Sequence, residues 1–416
     1  MPGRPRARAG RLSETRFSIE SVRRCGASNL HAGVRPRGSP EKEPMMHWTT
    51  ADGPVSTRRT LSLPALVFAL AAAFGCAQPA VEPAPETVYP GASWERISDP
   101  ASAGFSAEAL DAIHPYVEGI NTTAVMAAVG GRVLFEHGPV DEISYLASVR
   151  KSILAMLYGR YVEDGTIDLE LTVADLGMDD VQGLLPIEKQ ARVLDLVTAR
   201  SGVYHPASNS GDNLADAPPR GSQEPGTYYL YSNWDFNAAG AVFEQLTERN
   251  IYDALGTDLA LPLVFEDWHR WIHRKAGDAT RSRNLAYHMN LSTRDMTRIG
   301  YLMLRGGMWR EERVLPDGWA ERISGLVTPS EEMNPESRRG GDFGYGYMWW
   351  IWDGPAVPEA FRGAYTGRGA WGQYITVIPS LDMVVAHKTV PEVATPWDDY
   401  MGILDRLVAA HCGPDC

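Results

Sequence analysis

Ser148-Val149-Arg150-Lys151 and, further along, Tyr231-Ser232-Asn233 put a hydroxyl, an amine and a phenol into one chain order. A hydroxyl attacks an acyl carbon readily when a neighbour takes its proton, and a neutral lysine can be that neighbour. Lysine is driven neutral by burial or by an adjacent cation, whereas arginine stays protonated at any working pH. The chain holds 5 lysines against 34 arginines, so a lysine three residues after a serine stands out. A phenol can shuttle a proton between nucleophile and leaving group if a cation lowers its pKa, and an asparagine can hold a substrate carbonyl. These residue types describe acyl transfer.

The elements that must position them can also be read. From Val149, the residues Ile153, Leu154, Leu157, Tyr161 and Val162 repeat at three- and four-residue steps, and Asp164-Gly165 supplies a stop. An amphipathic helix beginning at Ser148 is predicted. Lys151 then lies one turn on, on the same face, and the N–H groups of the helix start point to where an oxyanion would form. An N-cap serine followed by a solvated lysine fits the same spacing. Ser39-Pro40-Glu41-Lys42 repeats that spacing with no apolar run behind it. Tyr231 follows the turn Glu224-Pro225-Gly226-Thr227 and precedes a helix-like run through Asn237, Ala238, Ala241, Val242 and Leu246. A turn entering a helix projects polar groups into a cleft, though a tyrosine buried by its ring gives the same pattern. A third segment, Tyr365 to Gln373, reads as a strand edge and a bend through Gly367-Arg368-Gly369-Ala370-Trp371-Gly372. A second strand, Tyr374 to Pro379, follows it. The Ala370 N–H can complete an oxyanion hole with the Ser148 N–H, and an ordinary glycine turn has the same composition.

Taken in order, these segments resemble the serine β-lactamase and penicillin-binding-protein-like superfamily. The likeness is to its class C branch of esterases, D-amino-peptidases and 6-aminohexanoate-oligomer hydrolases. It runs from about Trp94 to Ala409 and includes Leu196 to Gly202, His288 to Met296 and Tyr345 to Trp350. The resemblance implies that Ser148 is acylated, Lys151 takes its proton and Tyr231 helps deacylate. It implies that Asn233 contacts substrate and that Ser148 and Ala370 supply oxyanion N–H groups, with Arg368 and Gly369 beside them. One departure is visible. β-Lactamases usually carry Lys or His, then Thr or Ser, then Gly at the third segment, and here Gly367-Arg368-Gly369 stands there. The offset register Tyr365-Thr366-Gly367 also lacks the leading cation. That cation normally helps hold a substrate carboxylate, so an ester or amide of a less anionic acyl compound is expected, with Arg368 as a substitute from another angle. Two other readings stand beside it: a β-lactamase or D-alanyl carboxypeptidase, and a catalytically silent cell-wall-binding lipoprotein. No metal or organic cofactor is expected.

The ends of the chain speak to location. Arg58-Arg59 precedes a mostly apolar, uncharged stretch, Leu61 to Phe74, which suits a signal-peptide core better than a membrane span. Ala73-Phe74-Gly75-Cys76 resembles a bacterial lipobox, with Cys76 lipidated; a plain cleaved signal leaving a free cysteine is the alternative. Residues 1–75 therefore read as a mis-started leader plus signal, 76–92 as a Pro- and Ala-rich tether, 93–411 as the hydrolase body and 412–416 as a tail. A membrane-anchored periplasmic protein is expected, or alternatively a secreted soluble one. The leader carries +7 of a chain total of −13, leaving −20 on the rest. Nucleic acid is not an expected partner for so acidic a body, and a small ester or amide is. Cys412 and Cys416 either pair or belong to a disordered tail. His269-x-x-x-His273 has helical spacing but no third ligand nearby, and the interleaved Trp268 and Trp271 favour a packed face over a metal site.

The order of elements implies an α+β fold. A helix over Ser106 to Glu118 precedes a hairpin, Ala124 to Val129 and Val133 to Glu136, turned at Gly130-Gly131. Helices and long loops dominate Val149 to about Gly340, strands return from Gly344 to Trp352 and from Phe361 to Lys388, and a helix closes the chain at about Pro396 to Ala410. Strands at both ends imply one antiparallel sheet built from both termini, flanked by helices, with an inserted mostly helical lobe. His205 to Gly221 reads as either a substrate-facing lid or a solvated loop.

Overall fold

A computed structural model gives the architecture and describes residues 87–391 and 393–416. The leader, Cys76 and the tether up to residue 86 lie outside the described residues. The sheet has seven strands: β1 (Ala124–Val129), β2 (Arg132–His137), β3 (Phe343–Tyr345), β4 (Trp350–Trp352), β5 (Tyr365–Gly369), β6 (Gln373–Ile378) and β7 (Met383–Lys388). Its order is β2-β1-β7-β6-β5-β4-β3, antiparallel throughout. The first strand of the chain thus pairs with the last, Ala124 opposite Lys388 and Val129 opposite Met383. The sheet is built from both ends, as the element order implied.

β7 and β6 are buried along their whole length because helices cover both faces. Four longer helices matter for the site: α1 (Val149–Glu163), α2 (Asn233–Thr247), α3 (Thr293–Leu304) and α4 (Trp397–Ala409). Strand alternation divides β6 between two of them. Tyr374 stacks on Tyr400 of α4 at 4.3 Å, and the Thr376 and Tyr400 hydroxyls lie 2.7 Å apart. On the other face Gly300 lets α3 settle onto the sheet, since a Cβ there would lie 2.4 Å from Val384 Cγ1 and 2.9 Å from Ile375 Cγ2.

Three readings need correction. The segment expected as one helix from Ser106 divides into Ala107–Asp111 and Ile113–Glu118. Pro115 lacks the N–H that would bond Asp111, and its ring crowds that carbonyl. Residues 88–91, expected as tether, pack on the body instead: Tyr301 Oη donates to Val88 O at 2.8 Å and Arg298 Nη2 to Gly91 O at 3.0 Å. Finally, α1 is not amphipathic. It is buried without a break from Val149 through Gly159 and again at Tyr161, with Arg150 and Lys151 inside that run. The helix lies between the sheet and the helical lobe, where Ser152 Oγ donates to Met348 O at 2.7 Å and Trp319 Nε1 to Ala155 O at 2.9 Å. At the C-terminus Cys412 and Cys416 are joined in a disulfide.

Candidate active site

Ser148 sits at the N-terminus of α1, half-buried, with no capping bond from its side chain. The turn that presents it is strained. Ala147 has φ +47°, a left-handed conformation that costs a residue with a Cβ about 1–2 kcal/mol. Facing it, Trp371 has φ +64°, immediately after Ala370. Two strained residues thus flank one pocket from two separate elements, a placement typical of sites where geometry outranks stability. Between them Gly369 brings β5 against the start of α1: a Cβ on it would lie 3.1 Å from Ser148 N and 2.5 Å from Leu146 O. Gly369, in the Gly367-Arg368-Gly369 register, is therefore a residue of close backbone approach.

Ser232 caps α2 by accepting from Asp235 N. With its own hydroxyl so engaged, the residues either side of it, Tyr231 and Asn233, both turn towards α1. Lys151 Nζ lies 3.0 Å from Ser148 Oγ, 2.5 Å from Tyr231 Oη and 2.6 Å from Asn233 Oδ1. The structure brings all four predicted residues together. Asn233 Oδ1 meets Lys151, and its Nδ2 donates to Ser210 O at 2.8 Å. Buried in this way, it holds the amine and the loop.

Electrostatics follow from burial. Lys151 is 1% exposed, and desolvation holds its pKa well below the ordinary lysine value, helped by the nearby Arg150 cation and opposed by Asp212. A neutral amine has two N–H donors and one lone pair. Tyr231 Oη and Asn233 Oδ1 can take the donors, which leaves the lone pair for the Ser148 hydroxyl proton. The Tyr231 phenol goes the other way from expectation. Burial pushes it up to about 12, outweighing the pull of Ser148, Arg150 and Arg368, so it rests protonated at neutral pH.

Ser148 and Tyr231 open onto a cleft of about 390 Å³ that Ala370, Trp371 and Trp350 also line. Gly211, Asp212 and Asn213 form one wall, so the inner part of the His205 to Gly221 segment faces the cleft. Asp212 Oδ2 accepts from Asn233 N at 3.1 Å, and Asn213 N donates to Tyr231 O at 3.0 Å, which ties that wall to the catalytic turn. Arg338 and Arg368 also line the cleft. The Arg368 guanidinium lies over three rings, 4.1 Å from the centroid of Trp397, 4.6 Å from Phe343 and 5.0 Å from Trp350. Burial lowers its pKa to about 10, which still leaves a cation. Among the described residues neither guanidinium has a hydrogen-bond or ion-pair partner in a side chain. Arg338 carried no sequence motif and comes to the cleft only through the fold, whereas Asp212 belongs to the segment read as a lid or a solvated loop.

The histidine pair is not helical. Arg270–Ile272 forms a 3₁₀ turn, and His273 is buried with its ring stacked on Trp268 at 4.7 Å. Among the described residues no group of three or more His, Cys, Asp or Glu side chains could hold a metal.

The model of the β-lactamase family, described as Beta-lactamase, matches residues 110–389. Among solved structures the chain is similar to EstCE1, described as a hydrolase with promiscuous acyltransferase activity. They share 17% identity with a TM-score of 0.54, over 72% of this chain and 98% of that one. A class C β-lactamase aligns at 14% identity and TM-score 0.54, over 76% of this chain and 98% of the other. A Bacillus anthracis protein assigned as a 6-aminohexanoate-dimer hydrolase aligns at 18% identity and TM-score 0.50, over 71% and 80%. At these identities the likeness shows the fold alone. No curated protein matches the sequence.

Proposed function

This chain belongs to the β-lactamase family, and from that premise we propose that it cleaves an ester or amide through a covalent acyl-enzyme on Ser148. The carrying observation is the Lys151 amine, buried and within 3.0 Å of the Ser148 hydroxyl at the edge of an open cleft. Ser148 Oγ attacks the substrate carbonyl carbon while its proton passes to the Lys151 lone pair. The oxyanion that forms is held by the N–H groups of Ser148 and Ala370, at the N-terminus of α1. Lys151, now an ammonium, returns the proton through Tyr231 to the leaving group as the carbon–heteroatom bond breaks. Water then attacks the acyl carbon, gives its proton to the same pair and releases the acid, restoring Ser148. Tyr231 is suited to relaying rather than storing a proton, because its phenol is protonated at rest and touches the amine.

A second reading has its own support. The missing leading cation of the third segment points to a weakly anionic substrate, yet two unpaired guanidiniums line the cleft. A β-lactam or a D-alanyl peptide carries a carboxylate that would meet them. A panel of p-nitrophenyl acyl esters, D-amino acid amides and a chromogenic cephalosporin separates the two. Turnover of neutral esters with the cephalosporin untouched supports the first reading, and the reverse pattern supports the second. No turnover of any of them, together with no modification of Ser148 by an active-site acylating or phosphonylating reagent, removes both.

A further inference from the structure

Adjacent residues of α1 carry two buried basic side chains, and α2 answers both with neutral amides. Lys151 Nζ meets Asn233 Oδ1 at 2.6 Å; Arg150 Nη2 donates to Asn237 Oδ1 at 3.0 Å, one helical turn further along α2. Arg150 is 2% exposed, and among the described residues no carboxylate pairs with it. Its Nη1 is buried without a hydrogen-bond partner, and its guanidinium lies 4.3 Å from the centre of the Tyr287 ring. An unpaired buried guanidinium is costly, and an apolar side chain of similar length would fill the space at lower cost. As a structural anchor alone it is a poor choice.

Its neighbours explain what the charge does. Besides Lys151 and Tyr231, the titratable groups that feel the Arg150 charge are Tyr145, Tyr252, Tyr287 and His288. Burial raises the three phenols and lowers the imidazole to about 4, so all four are neutral at neutral pH and none screens the guanidinium. Facing Lys151 are Tyr231, protonated, and the half-buried Asp212, whose backbone-bound carboxylate is the one anion acting on the amine. Asn237 Nδ2 in turn donates to Asn209 Oδ1 at 2.8 Å, so the amide that receives Arg150 is oriented and stays uncharged.

We propose that Arg150 is a positioning residue for the reaction, an uncompensated cation placed beside Lys151 so that the amine keeps its lone pair for Ser148. The inference rests on the acyl-enzyme reading above. Two like charges repel strongly where water is excluded, so the guanidinium adds to desolvation in favouring the neutral amine. Asn237 serves the same end by accepting a hydrogen bond without contributing a negative charge. An aspartate at that position would cancel the guanidinium.

The test is the rate of Ser148 labelling by a fluorophosphonate from pH 5 to 10, read as the position of the acid limb, in the full chain. Arg150→Met removes the charge, Asn237→Asp neutralises it in place, and Arg150→Lys keeps a cation with a different shape. Arg150→Met and Asn237→Asp are each expected to move the limb up by about one pH unit. That lowers labelling about tenfold at pH values on the acid limb, with recovery at high pH. Arg150→Lys is expected to leave the limb in place. A folded Arg150→Met or Asn237→Asp protein whose limb stays within about 0.2 unit of wild type overturns the proposal, as does an equal displacement in Arg150→Lys. A purely structural role would lower the plateau in all three and move no limb. If neither neutralising variant folds, ¹³C-lysine NMR of the Ser148→Ala protein decides: a Lys151 amine titrating at the ordinary lysine value refutes the account. Absence of wild-type labelling at Ser148 instead sinks the acyl-enzyme reading itself, which keeps the two failures distinct.

Discussion

Gly369→Ala is the smallest change that should disable the proposed oxyanion hole while leaving every catalytic side chain in place. The added Cβ would lie 2.5 Å from Leu146 O, 2.9 Å from Gln373 Cβ and 3.1 Å from Ser148 N. Two of those neighbours are backbone atoms, so no rotamer change relieves the overlap. Ordinary contact begins at about 3.4 Å, so β5 and the turn before α1 must part by about 0.9 Å. An oxyanion bonded at about 2.9 Å to one N–H would then lie about 3.8 Å from the other, which is no longer a hydrogen bond. Loss of one such donor typically costs about 10²–10³ in kcat, or roughly 2.7–4 kcal/mol. The assay is the acylation rate on a p-nitrophenyl ester, followed by stopped flow, with thermal melting as a check that the fold persists. KM is expected to change little, because the donor pair binds the transition state more tightly than the ground state. A folded Gly369→Ala enzyme within about threefold of wild type would refute the assignment of Ala370 and Ser148 N–H to the oxyanion.

Other consequences follow from the buried charges. Lys151 acts as base only when neutral, and its pKa is depressed, so kcat/KM should climb as pH rises through that folded value; Lys151→Met should lower it by about 10²–10⁴ and abolish that limb. Replacement of Arg368 by Met should raise KM for substrates bearing a carboxylate about tenfold or more and leave neutral esters within about twofold, measured on matched ester pairs. Lys388 is a second buried amine, donating to Ser144 O at 2.9 Å and also to Leu291 O, and burial lowers its pKa to about 7. Between about 7 and 10.5 the unfolded chain holds a proton there that the folded chain lacks, so stability rises with pH across that window. Urea unfolding at pH 7.5 and 9 should show that rise, and Lys388→Met should reduce its slope by about 1.4 kcal/mol per pH unit. An unchanged slope would mean that this amine is protonated in the folded protein.

Much of the fold was legible because period and punctuation agree. The Gly130-Gly131 turn between two apolar runs marks the hairpin, and the serine-led run from Val149 marks the helix start, both close to the observed bounds. The chemistry-bearing types were legible as well, since Ser148, Lys151, Tyr231 and Asn233 do meet. What the letters conceal is conformation and long-range company. Ala147 and Trp371 adopt left-handed backbone with no glycine or asparagine to announce it. A three- and four-residue apolar repeat indicates one buried face, and nothing in it shows that the sheet and helical lobe cover the other faces of α1 as well. Nothing local announces that Arg150 is buried, and its place against Tyr287 is a tertiary fact. Arg338 reaches the cleft from a 3₁₀ turn, Glu336–Arg338, outside the segments that carry the chemistry, so the substrate's charge was the least legible property.

The central claim is that one hydroxyl, at the start of α1, is the nucleophile. Intact-mass and peptide mass spectrometry after fluorophosphonate treatment test it directly. A single adduct is expected on the peptide carrying Ser148, lost in Ser148→Ala and strongly slowed in Lys151→Met. An adduct on a different residue, or equal labelling of the wild-type and Ser148→Ala proteins, would contradict it.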